Sequence, residues 1–170
     1  MNTQHGDLIE SVTAFDGLSS NTVNIIVHGT NCLGYMNSGF AKQLRDTYPV
    51  VFDVYKLKQK QDGLNLGDIS MTRISSLVLV NANTQKYCQN YRLPEGNYVD
   101  NSSVFVDYNA VYECFQKVRT WTNELVENGI NVHVHFPLIG CGLANGDWNL
   151  VKAEIERALG DLPCTLWIKG

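Results

Sequence analysis

No stretch of the 170-residue chain approaches the ~18–20 consecutive apolar residues of a membrane-spanning helix, and residues 1–10 are too polar for a secretory signal. A cytoplasmic protein with no membrane partner is expected. The five cysteines (Cys32, Cys88, Cys114, Cys141 and Cys164) are odd in number, widely spaced and contain no C-x-x-C pair. That spacing encodes neither a disulfide framework nor a zinc site, so free thiols are expected. Lys and Arg are nowhere clustered and the net charge is −4, which argues against strong nucleic-acid binding by charge neutralisation. An anionic ligand would therefore be held largely by backbone N–H groups and helix dipoles. Repeats, low-complexity tracts and Pro/Ser-rich linkers are also absent. With 44% apolar and 18% charged residues, the chain reads as one globular domain over residues 1–170, and a monomer is expected.

What is present is an alternation of strand and helix patterns. Val23, Ile25 and Val27 alternate with Asn24 and Ile26, a strand interior to a sheet with His28 at its carboxyl end. A glycine-rich loop follows, then Phe40, Leu44 and Tyr48 at four-residue spacing, with Ser38 as N-cap and Pro49 as the stop. A short helix over about 51–58 and two strands, 66–74 and 77–80, joined around Ser75-Ser76, come next. Residues 87–103 read as a long surface loop. Asp107 caps a helix whose stripe is Val111, Cys114, Phe115, Val118 and Leu125, with Gly129 after its end. A strand over 132–136 leads into a second glycine loop, 137–147, and a helix with Leu150, Val151, Ile155, Ala158 and Leu159 on one face. A last strand covers 165–168. This order implies an α/β fold of three layers, helices on both faces of a mixed, largely parallel sheet, with a ligand site at the carboxyl ends of strands.

Each glycine loop leaves a strand and enters a helix, so together they direct two helix N-termini and many N–H groups at one end of the sheet, which suits a diphosphate. One such loop alone could be no more than a tight turn. Phe40 stands where a P-loop would need Lys, and Gly140, Gly142 and Gly146 do not match the dinucleotide fingerprint. His28 is the candidate for chemistry: it could orient or deprotonate a water, or protonate a leaving oxygen, or simply be a bonded structural histidine. His133 and His135 share a strand face but have no third ligand at metal spacing, and Cys141 has no evident base.

The segments Gly6-Asp7-Leu8, Val27-His28-Gly29-Thr30-Asn31-Cys32, Met36-Asn37-Ser38-Gly39-Phe40-Ala41 and Leu66-Gly67-Asp68-Ile69 follow one another along the chain. Residues 81–85, Val106-Asp107-Tyr108, Pro137-Leu138-Ile139-Gly140-Cys141-Gly142-Leu143-Ala144 and Gly146-Asp147-Trp148 complete the series. In this order they resemble the macro domain family, in particular its ADP-ribose-1''-phosphate phosphatases and the related hydrolases that remove ADP-ribose from glutamate. The resemblance spans nearly the whole chain and implies a macro domain fold.

It implies that Asp7, with Leu8, meets the adenine and that Asn31 holds the distal ribose. Gly34, Met36, Asn37, Ser38, Gly39 and Phe40 would wrap that ribose and its phosphate, with Gln85 nearby. Ile139, Gly140, Cys141, Gly142, Leu143 and Ala144 would cradle the diphosphate. His28, Asn31 and Asp147 are the catalytic candidates, although a helix N-cap explains Asp147 equally and a turn or cap explains Asp7. The glutamate-specific relatives carry a lysine and an aspartate just after their Gly-Cys-Gly-Leu; here that position is Ala144, and no lysine falls within 81–85. The implied activity is a phosphatase needing no metal or cofactor that converts ADP-ribose-1''-phosphate to ADP-ribose and phosphate. The alternatives are a hydrolase acting on ADP-ribosylated proteins or nucleic acid, and a non-catalytic reader of ADP-ribose.

Overall fold

The computed structural model describes residues 1–15 and 21–170. Its elements run β1 (Asn2–His5), α1 (Leu8–Phe15), β2 (Thr22–Asn31), α2 (Gly39–Thr47), α3 (Val50–Asp62), β3 (Ile69–Ile74), β4 (Leu77–Gln85), α4 (Tyr108–Glu127), β5 (Asn131–Phe136), α5 (Trp148–Leu159) and β6 (Cys164–Ile168). The six strands form one sheet in the order β1-β6-β5-β2-β4-β3. Every neighbouring pair is parallel except the β3–β4 hairpin, giving the mixed, largely parallel sheet that the alternation implies.

Alternation along β2 sets the two layers of the core. Val23, Ile25 and Val27 point to one face, where they pack with Phe115 and Val118 of α4 and Val151 and Ile155 of α5. Ile26 points to the other face and joins Leu8, Ile9 and Val12 of α1, Leu44 of α2 and Val51 and Tyr55 of α3. α4 and α5 begin at aspartate caps: Asp107 Oδ1 accepts from the Ala110 N–H at 2.8 Å, and Asp147 Oδ1 from the Asn149 N–H at 2.8 Å. Among the described residues no helix is long and apolar enough to cross a membrane.

Several boundaries differ from the sequence pattern. The strand expected over 66–74 begins only at Ile69, because Gly67 adopts φ +84 in the preceding turn. The strand expected over 77–80 continues to Gln85. Asn81 and Asn83 interrupt its apolar run, but both are fully or nearly fully buried and bonded across the sheet: Asn81 to His28, Asn83 to Thr30. The second helix extends to Asp62, past the expected 58. At the first, Ser38 occupies the N-cap position but makes no side-chain cap bond. β1 has no apolar alternation because all four residues are exposed; only its parallel pairing with β6 defines it.

Candidate functional site

At the carboxyl ends of β2, β4 and β5 the sheet opens into a cavity of about 820 Å³, within the size range of small-ligand sites. His28, Gly29, Thr30 and Asn31 of β2 form its base. Residues 35–41, running into α2, make one wall; residues 137–140 and 142–144, leaving β5, make another; residues 88–92, beyond β4, make a third. Its position follows from topology, since both glycine loops leave parallel strands that sit side by side.

The two loops present N–H groups for different reasons. The first-turn amides of α2 have no intrahelical acceptor, and Ser38 leaves them uncapped. In the second loop the carbonyls are tied down. Gly140 O accepts from the Gly146 N–H at 2.7 Å, Gly142 O from the Asn145 N–H at 3.0 Å, and Ala144 O from the Phe105 N–H at 2.8 Å. Leu143 O accepts from Gln89 Nε2 at 3.0 Å. Asn145, at φ +58, donates through Nδ2 to the carbonyls of Asn101 and Ser103 at 2.8 and 2.9 Å. Among the described residues no hydrogen bond uses the N–H groups of Gly142, Leu143 or Ala144, so these remain for a ligand.

His28 is 1% exposed, and its Nε2 lies 2.6 Å from Asn81 Oδ1. Asn81 Nδ2 donates to the Val51 carbonyl at 3.0 Å and to Ser70 Oγ at 3.1 Å, which fixes the amide orientation and makes Oδ1 the acceptor. His28 therefore carries its proton on Nε2. Its Nδ1 is a buried lone pair with no partner. Burial pushes the imidazole pKa down to about 4, against the opposing bond to Asn81. The ring is neutral at pH 7: its one proton is engaged by Asn81 Oδ1, and its Nδ1 can only accept a hydrogen bond. The general-acid role considered from the sequence is set aside on that ground.

Asn31 lines the cavity with its side chain engaged: Oδ1 accepts from the Leu33 and Tyr35 N–H groups at 3.0 and 3.3 Å, and Nδ2 donates to the Tyr35 carbonyl at 3.0 Å. The buried Tyr55 places its hydroxyl against the Asn31 carbonyl and side chain and accepts from the Gly34 N–H. Asn31 thus shapes the loop at the end of β2.

Of the residues singled out from the sequence, His28, Asn31, Met36, Asn37, Ser38, Gly39 and Phe40 line the cavity, as do Gln85, Ile139, Gly140, Gly142, Leu143 and Ala144. Five do not. Asp147 is exposed and its carboxylate is occupied as the α5 cap, so a catalytic role is not carried forward. Asp7 lies outside the lining; its Oδ1 accepts from the Glu10 N–H at 3.0 Å and its Oδ2 meets Lys169 Nζ at 3.2 Å. Those bonds, the Glu10 N–H first, lower its pKa. Leu8 is buried in the core. Gly34, at φ +92, backs onto Lys56 and Gln59 of α3, and Cys141 turns its Sγ to the Ile139 carbonyl at 3.2 Å.

Sequence reasoning missed Cys88, Gln89, Asn90, Tyr91 and Arg92, which belong to the stretch read as a surface loop. The available signal was position: this stretch directly continues the strand that carries Gln85. Away from the cavity, His133 and His135 stack at 4.4 Å. His133 Nε2 bonds Thr165 Oγ1 at 2.7 Å, His135 Nε2 meets Asn24 Oδ1 at 3.0 Å, and Trp167 Nε1 donates to His135 Nδ1 at 3.1 Å. Among the described residues no group of three His, Cys, Asp or Glu side chains is placed to hold a metal.

The six-stranded sheet, its helical layers and the cleft at the strand ends define the macro domain fold, and solved macro domains match it over nearly the full chain. The macrodomain of Thermus aquaticus DarG shares 20% identity, covering 99% of this chain and 97% of that one at a TM-score of 0.68. A protein of unknown function from Bacteroides thetaiotaomicron shares 24% identity, covering 98% and 96% at a TM-score of 0.75. Thermosipho africanus DarTG, solved in complex with ADP-ribose, shares 15% identity, covering 99% of this chain and 42% of that one at a TM-score of 0.68. No protein-family model matches the chain, and no curated protein matches it in sequence.

Proposed function

We propose that the cleft binds ADP-ribose or a close derivative and that the chain hydrolyses ADP-ribose-1''-phosphate to ADP-ribose and phosphate. The observation that carries the binding is the second glycine loop, whose Gly140, Gly142, Leu143 and Ala144 carbonyls are tied away while the Gly142, Leu143 and Ala144 amides stay unbonded among the described residues, beside the uncapped start of α2. Thermosipho africanus DarTG, part of which shares this fold, is solved in complex with ADP-ribose and supports the same ligand class.

The choice of reaction rests on the charge of the lining. Among the described residues lining the cavity there is no carboxylate, and His28 is unprotonated at neutral pH. Removing ADP-ribose from a nucleobase nitrogen needs a proton for a strongly basic departing group, and neither a carboxylic acid nor a charged histidine lines this cleft to give one. Phosphoryl transfer depends mainly on positioning and on stabilising charge with fixed donors, which the amides provide. In this reading the lone pair of His28 Nδ1 accepts a hydrogen bond from a water whose oxygen bonds to phosphorus as the bond from phosphorus to the sugar oxygen breaks, and a proton of that water passes to the departing sugar oxygen. Asn81 is the positioning residue that keeps this nitrogen unprotonated. Complete burial of His28 favours a second reading, a binding module in which the ring only shapes the floor.

Phosphate release from ADP-ribose-1''-phosphate, measured with EDTA present, separates the two. Release by His28→Ala is expected to fall about tenfold or more below that of the native protein while ADP-ribose binding is kept. Absence of release from native protein that still binds ADP-ribose would overturn the phosphatase and leave the binding module.

A further inference from the structure

We propose that Arg92 makes the cleft selective for ligands that carry an anionic group beyond the diphosphate, the terminal phosphate of ADP-ribose-1''-phosphate being the case in hand. This deepens the reading above and rests on it. Arg92 is the only charged side chain among the described residues lining the cavity. Among the described residues only its Nε has a partner, the Gly96 carbonyl at 3.2 Å, and no carboxylate pairs with it. The two terminal nitrogens keep their donors, the fork that matches phosphate oxygens.

The segment that bears Arg92 is built to hold it. Val99 N–H donates to the Tyr91 carbonyl at 2.9 Å, Leu93 N–H to Asn97 at 2.7 Å and Gly96 N–H to Leu93 at 2.9 Å, closing a small hairpin in which Arg92 faces Tyr98 across an antiparallel bridge. Asn90 and Asn101 exchange two hydrogen bonds at 2.8 and 2.9 Å at its base. Tyr87 and Tyr91 stack with centroids 5.6 Å apart, and Gln89 ties the segment to the Leu143 carbonyl.

Position gives the selectivity. Gln85 pairs with Asn31, and the Cys32 N–H donates to the Lys86 carbonyl at 3.3 Å, so the segment leaves the sheet beside Asn31 and forms a wall of the cleft separate from the two glycine loops. The diphosphate already has two sets of backbone donors at its disposal. A cation on this wall acts on charge that the two sets of amides leave unmet, and a phosphomonoester brings nearly two further negative charges at neutral pH.

The test is calorimetric titration of native protein and Arg92→Gln with two ligands: ADP-ribose and its non-hydrolysable 1''-phosphonate. Because Arg92 is exposed, the variant is expected to fold as the native chain does, which circular dichroism checks. The expected result is an about tenfold loss of affinity for the phosphonate in Arg92→Gln, with ADP-ribose changed less than about twofold, the difference shrinking as salt is raised. An equal loss for both ligands would assign Arg92 to the diphosphate and overturn the proposal, and so would no loss for either. Native protein that binds neither ligand would overturn the ADP-ribose reading itself and this inference with it.

Discussion

Gly146→Ala is expected to weaken ligand binding severely and to lower stability by about 3 kcal/mol, because the added methyl meets backbone that cannot step aside. Its Cβ would stand 2.4 Å from the Gly140 carbonyl oxygen and 2.5 Å from Val106 Cγ1. That same oxygen accepts the Gly146 N–H at 2.7 Å and closes the loop. Relief of the clash opens the closure and displaces the Gly142–Ala144 amides, so affinity for ADP-ribose should fall about 100-fold or more. Gly142→Ala makes the contrast: its Cβ meets nothing within 4 Å and its backbone is not at positive φ. This variant should keep the native melting temperature and lose affinity only because its methyl intrudes on the ligand. Urea melts and calorimetry on both variants test the pair; equal stability and equal affinity for the two would contradict the role assigned to the loop.

Mild acid should destabilise the fold well above the pH at which carboxylates protonate. Burial lowers the pKa of His28 to about 4 and that of His135 to about 3, and burial also lowers His133. Unfolded histidine titrates near 6.5, so between these values the unfolded chain binds more protons than the native one and stability falls as pH falls. The stabilising contribution is whole above about pH 6.5 and drains away down to the folded-state values. His135 shows the cause: Trp167 donates to its Nδ1, so a second ring proton has nowhere to go without breaking that bond. At about 1.4 kcal/mol per pH unit for each fully shielded ring, His28 and His135 together cost roughly 5 kcal/mol between pH 6.5 and 4.5. That is comparable to the whole stability of a small domain. The lowered carboxylates, Asp7 and Asp68 among them, add their share only below about pH 4. Urea denaturation from pH 7 to 4.5 measures the slope, and a flat profile would mean that the rings are solvated or already charged in the fold.

How far the molecule could be read from its sequence varied with the kind of interaction. α4 was legible because a cap, a 3.6-residue apolar stripe and a terminal glycine all fall within one segment. β2 was legible because its alternation is local. The second half of β4 was not, since Asn81 and Asn83 look like surface residues until β2 supplies His28 and Thr30 as partners. Both glycine loops could be recognised from spacing, and they do flank the cavity. Asp7 could not be placed, because its role depends on Lys169 at the other end of the chain. The tautomer of His28 lay further out of reach: it depends on the orientation of Asn81, which the Val51 carbonyl sets from α3. Arg92 sits in a segment whose composition says only loop, and the hydrogen bonds that close its hairpin connect residues with no periodic pattern.

Calorimetric titration of the native protein with ADP-ribose at neutral pH tests the central claim most directly. A saturable one-to-one isotherm that Gly142→Ala weakens without changing the melting temperature is the predicted result. No heat of binding at millimolar ADP-ribose would contradict the account of the cleft.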